Sequence, residues 1–167
     1  MKYLHLSGSI NDNMVTSLYD FLNALDEGEP GIVSLNSHGG LSSCSLQILR
    51  VLNAHSSKLS LQIVGNVQSA AFTLFIGFSG NKTITPGSVG MIHQPSIDEL
   101  EATGDGKLTT LSSAAMKSLK QHNARISKIA TQILPKKELE RFNQGEDVYI
   151  QYSELKKLCN IFVPGIV

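Results

Sequence analysis

The stretch LSLQIVGNVQSAAFTLFIGF, Leu59 to Phe78, opens with apolar residues in alternation and closes on an almost wholly apolar run. Alternation with period two predicts a strand from Leu59, and the run headed by Ser69 predicts the helix that follows it. A serine at such a junction has two uses. It can cap the helix, or it can be presented as a nucleophile at the carboxyl end of the sheet, where α/β proteins place their sites.

The same alternation of element types extends in both directions. NMVTSLYDFLNALDEG puts Met14, Leu18, Phe21, Leu22 and Leu25 on one helical face, with Asn11 or Asp12 as cap and Gly28 as terminator. GIVSLNS is a short buried strand that runs into HGG, and SCSLQILRVLNA returns to helical spacing through Cys44, Ile48, Leu49 and Leu52. Strands separated by helices of about a dozen residues imply right-handed crossovers and a mainly parallel sheet. The fold class is α/β.

Past the opening stretch, NKTITP and VGMIHQP are two further strands, and SIDELEATGDGK is an exposed acidic loop. A long helix is expected from Leu108 to Leu134, with Leu111, Ala115, Leu119, Ile126, Ile129 and Ile133 in phase and Pro135 as its stop. At about 40 Å it exceeds what a small domain needs and could project as an arm for self-association. The tail from Glu146 predicts a strand, a short helix and a closing strand. With no repeats or linkers, residues 1–167 are expected to form one domain.

Composition narrows the function classes. The 167 residues are 41% hydrophobic, enough for a real core, and fourteen basic residues balance fourteen acidic ones. Such a balance offers no broad positive field for nucleic acid or an anionic membrane. Cys44 and Cys159 form no CxxC or Cys/His spacing and suit buried thiols in a reducing compartment. No apolar run is long enough to span a bilayer, and MKYLHLSGSIND lacks a signal-peptide pattern, so a cytoplasmic location is expected. No metal or organic cofactor site is expected.

Acyl transfer needs a nucleophile, a base, a group that orients the base and donors for the oxyanion. Ser69 is the candidate nucleophile, and the start of its helix favours developing negative charge. His93, in MIHQP, ends an apolar strand before Gln94 and Pro95 and can serve as base, although a lone histidine there is often structural. NSHGG, residues 36–40, supplies two glycines that let an amide approach a substrate, or simply make the turn between strand and helix.

In order and spacing, LSGSIND, SLNSHGG, IVGNVQSAAF and TPGSVGMIHQPS resemble the blocks of the ClpP family of self-compartmentalised serine peptidases. That family's pattern is roughly LxGxI(N/D)D, NSPGG, GxAxSMG and MIHQP. The resemblance runs from Tyr3 to about Val163 and implies the ClpP/crotonase-like fold of repeated β-β-α units, with residues 108–134 as a protruding handle helix. It further implies that Ser69 is the nucleophile, His93 the general base, and the backbone N–H groups of Gly40 and Ala70 the oxyanion donors. The third member is open: Asn143 falls where the family has its triad aspartate, and Asp147 lies four residues on as the alternative. His38 replaces the family's proline, and Ala70 its methionine.

The implied activity is endopeptidase cleavage of unfolded chains or short peptides inside a ring or double ring, independent of ATP or assisted by a Clp-type ATPase. Against ATPase docking, the chain begins almost at the first strand, ahead of which the family carries a propeptide and axial loops. Asn143 in the triad's place would suit a catalytically impaired subunit with an assembly or regulatory role. The same architecture also serves acyl-CoA chemistry, which calls for an acidic residue where Ser69 and His93 stand.

Overall fold

The structure, a computed structural model, describes residues 1–94 and 113–166, with the backbone alone for residues 113–116, 118 and 119. Two compact units emerge: Met1–Met91 together with Tyr149–Val167, and Ile92–Val148.

The first unit is the mixed α/β layer structure that the sequence predicts. Along the chain come β1 (Lys2–Ile10), α1 (Asp12–Ala24), β2 (Gly31–Gly40), α2 (Ser42–Ala54), β3 (Leu59–Gln68), α3 (Ala70–Gly77), β4 (Asn81–Ile84) and β5 (Val89–Ile92). After the second unit the chain returns through β6 (Val148–Ile150), α6 (Tyr152–Lys157) and a 3-10 turn, Leu158–Asn160. The sheet runs β1-β2-β3-β5-β6, with β4 also on β3. The pairs β1–β2, β2–β3, β3–β4 and β3–β5 are all parallel.

Alternation sorts the strands as expected. Val33, Leu35, Leu61, Ile63 and Val67 are fully buried, as are Leu18 of α1 and Ile48, Leu49 and Leu52 of α2. Asn11 caps α1 by accepting from the Met14 amide at 3.2 Å. Every residue of α3 is buried, which is why its sequence shows no polar face.

One irregularity aims the site. Leu35 pairs with Ile63 but Ser37 pairs with Val67, so two steps along β2 span four along β3. Asn36 Oδ1 accepts from the Asn66 amide at 2.9 Å, and Ser88 Oγ accepts from the Gly65 amide at 3.2 Å. Gly65, at φ +145°, passes so close that an added Cβ would stand 2.7 Å from Asn36 Oδ1. The bulge redirects β3, whose first half pairs with β4 and whose last residues, Asn66–Gln68, pair with Val89–Met91 of β5.

The strand ends in HGG as expected, carried through both glycines because Ser9 and Ile10 of β1 pair with Gly39 and Gly40. One expectation is corrected. The closing strand does not form: after the 3-10 turn, Val163 and Ile166 are buried without joining the sheet, and the Val163 amide donates to Ile76 of α3 at 3.3 Å. Pro164 and Gly165 interrupt the segment where a strand would have to continue.

In the second unit, α4 (Ser113–Ile133) and α5 (Lys136–Asn143) are joined at Leu134 and Pro135. Ile126, Ile129, Ala130 and Phe142 are buried. The expected long helix is therefore present from Ser113; its first turn, and the acidic loop over 96–107, lie outside the described residues.

Candidate active site

Ser69 follows the last residue of β3 and precedes the first of α3. Its backbone is at φ +52°, ψ −123°, and it is the one described residue other than glycine with a positive φ. Such a conformation costs about 1–3 kcal/mol and persists only where the surroundings over-determine it. They do so here: the Ser69 amide donates to Met91 O at 2.9 Å, and its carbonyl accepts from Phe72 and Thr73 at 2.9 and 3.2 Å. The hydroxyl makes no capping bond to α3. The capping use of this serine is thereby removed, while the strained strand-to-helix turn is the form that exposes a nucleophile.

The surroundings of Ser69 explain the glycine pair. An added Cβ on Gly39 would stand 2.8 Å from Ser69 Cβ and 3.2 Å from Oγ, at φ +107°. On Gly40, at φ +140°, it would stand 2.4 Å from Ile10 O. Only glycine lets β2 come this close to the serine and to β1 at once. Ser37 locks the turn, accepting from the Gly39 amide at 3.1 Å. At the start of α3 the first helical bonds begin at Phe72, so the amides of Ala70 and Ala71 precede the ladder. The buried Ser45 hydroxyl holds the same turn by donating to Ala70 O at 2.7 Å.

His38 is exposed, and its Nδ1 lies 3.0 Å from Gln68 Oε1. The Gln68 amide in turn donates to Asn66 Oδ1 at 3.2 Å. The histidine is thus fixed to the bulge of β3 instead of turning freely in solvent.

In the second unit, His93 immediately follows β5. Its Nδ1 lies 3.5 Å from Asp147 Oδ1, with the imidazole largely enclosed and the carboxylate half-exposed. The end of α5 accounts for which acidic or amide residue reaches the ring. Gly145, at φ +84°, is a left-handed terminator; its amide donates to Phe142 O at 3.0 Å, and that of Glu146 to Arg141 O at 3.1 Å. These two bonds are a Schellman motif. It keeps Asn143 on the helix, exposed, and turns the chain so that the next residues, ending in Asp147, leave in a new direction. Gln94 braces the same segment by donating to Phe142 O at 3.4 Å. His122, on α4, is a further titratable group whose pKa is lowered by burial, then by Arg125 and His93; nothing in its sequence context marked it.

The family model for Clp protease matches residues 2–147. The chain belongs to the Clp protease family. The match spans every residue discussed above, from the glycine turn of β2 to Asp147, and membership makes the chain a peptidase by family. Within this Clp protease the first unit carries Gly40, Ser69 and Ala70, and the second carries His93, Asn143 and Asp147. Among the described residues no helix is long and apolar enough to cross a membrane.

Proposed function

We propose that this Clp protease family member is a serine endopeptidase with Ser69 as nucleophile, His93 as general base and Asp147 as the group that orients the base. The conformation of Ser69 carries the reading: a strained backbone, φ +52°, is maintained at a serine placed between the end of β3 and the start of α3. Asp147 is preferred to Asn143 because its carboxylate is the one within ion-pair distance of His93 Nδ1.

A proton on Nδ1 facing Asp147 leaves Nε2 as the basic nitrogen. Ser69 Oγ attacks the peptide carbonyl carbon as His93 Nε2 takes its proton. The oxyanion accepts from the Gly40 and Ala70 amides, and His93 returns the proton to the leaving amine. Water, activated in the same way, then releases the acyl group from Ser69. Asp147 holds the ring and stabilises the imidazolium. An impaired subunit draws its support from an amide in the third place; the Asp147 carboxylate 3.5 Å from His93 Nδ1 favours the active reading.

Substrates are unfolded chains or short peptides, cleaved in the cytoplasm inside a ring or double ring built from copies of this chain, with α4 (Ser113–Ile133) meeting the facing ring. A Clp-type ATPase is an optional partner. The test is hydrolysis of a fluorogenic peptide: Asp147→Asn is expected to lower kcat/KM by about 10³–10⁴, as loss of the orienting carboxylate does in serine proteases. Asn143→Ala is expected to stay within about twofold. The opposite ranking would move the role to Asn143.

A further inference from the structure

At the far end of α3 from Ser69, about 12 Å along the helix axis, lies a cavity of about 250 Å³ lined by Ser79, Asn81, Lys82, Cys159, Asn160 and Phe162 among others. Among the described residues, none that lines it is acidic. Lys82, on β4, is only 8% exposed. Its Nζ donates to the Ile161 carbonyl at 2.5 Å and stands 5.4 Å from the centre of the Phe75 ring. An ammonium has three donors; the carbonyl and the ring face occupy two.

A buried cation without a counter-charge is costly, and the titration of Lys82 registers that cost. Burial pushes its pKa down from 10.5 to about 8, with Cys159 the one titratable neighbour acting against it. The Cys159 thiol is itself pushed up by burial, against the pull of Lys82 and Lys156. Around Lys82 the neutral lining can complete a ligand shell: Asn160 brings a side-chain amide, and Asn81, whose Nδ2 already donates to Ser60 Oγ at 3.4 Å, brings a second N–H, whereas the Ser79 hydroxyl is committed to Asn53 Oδ1 at 3.1 Å.

We propose that this cavity binds a small organic anion, a carboxylate or a phosphate monoester, whose charge pairs with Lys82 Nζ and whose oxygens accept from the Asn160 and Asn81 amides. A volume of about 250 Å³ suits a small ligand. The site is independent of the serine chemistry and of the reading given for it.

Because the anion pairs with the ammonium, binding takes up a proton wherever Lys82 is partly neutral. Calorimetry on the full chain with succinate and with methyl phosphate, both fully ionised at these pH values, reads this directly. Between pH 7.5 and 9.5 the Kd is expected to rise roughly 25-fold, as the ammonium is lost above pH 8. Proton uptake at pH 8.5 should appear as a dependence of the heat on buffer ionisation enthalpy. Cys159→Ser, which removes the other titrating group at Lys82, should leave both effects in place.

Lys82→Arg, charged throughout, should keep binding and lose the pH dependence. Lys82→Met should abolish binding, and if that variant fails to fold, Asn160→Leu is expected to weaken binding at least tenfold in its place. Binding of succinate alone or methyl phosphate alone identifies the ligand class. No heat with either at 10 mM and pH 7.5, binding undiminished in folded Lys82→Met, or a Kd flat across the pH range would each overturn the proposal.

Discussion

At the scale of single residues, the proposed nucleophile sits where the backbone is least comfortable, at φ +52°. Ser69→Ala and Ser69→Gly both remove the hydroxyl, but only glycine relieves φ +52°. Chemical denaturation should therefore find Ser69→Gly more stable than Ser69→Ala by about 1 kcal/mol, with neither variant hydrolysing peptides; equal stabilities would mean the turn stores no strain. Gly39→Ala should abolish hydrolysis with Ser69 intact, since its methyl would press on Ser69 Cβ. The serine, the histidine and the glycine pair were legible because strand ends and double glycines mark positions whose backbone is special whatever the tertiary context. The third position was not legible: the family's spacing favours Asn143, whereas it is Asp147 that lies 3.5 Å from His93 Nδ1. Both are polar residues in one turn-forming run, and periodicity is silent on direction after a helix has ended. The signal was Gly145: a glycine just beyond a helix announces a reversal, and the residue after the reversal is the one sent elsewhere.

At the scale of elements, the strands and helices follow from apolar spacing, whereas β3's bulge does not. It depends on Asn36 of another strand accepting from the Asn66 amide, a contact that no window of β3 contains. The closing strand failed for a comparable reason, since Val163 and Ile166 are buried without a ladder and short apolar runs look alike in either case. Gly145→Ala would strain the Schellman turn and is expected to cost about 1 kcal/mol. If that turn delivers Asp147, hydrolysis should fall further than in a surface substitution of matched stability. The start of β1 carries a separate pH dependence. The Met1 ammonium, Lys2 and the Asp26 amide hold the Glu29 carboxyl at about 2, below its ordinary 4.5. A depressed carboxylate contributes stability above its unfolded pKa and loses it as pH falls toward the folded one. Melting temperatures should accordingly drop between pH 4.5 and 2, less steeply in Glu29→Gln; superimposable curves would show the clamp to be inert.

At the scale of the whole molecule, Clp protease family membership over residues 2–147 makes peptide hydrolysis the expectation, with Ser69, His93 and Asp147 the residues proposed to perform it. Assembly and chemistry are separable on this view: Ser69→Ala should sediment as wild type does, and disruption of the assembly by that change would give the serine a structural role. The central claim is that Ser69 is an activated nucleophile, and the most direct test is reaction of the native protein with a fluorophosphonate, followed by peptide mass spectrometry. The account predicts one adduct, on Ser69, lost on heat denaturation and in Ser69→Ala, and formed at least a hundredfold more slowly in Asp147→Asn. A folded, assembled protein that formed no adduct, or formed it on another serine, would contradict it.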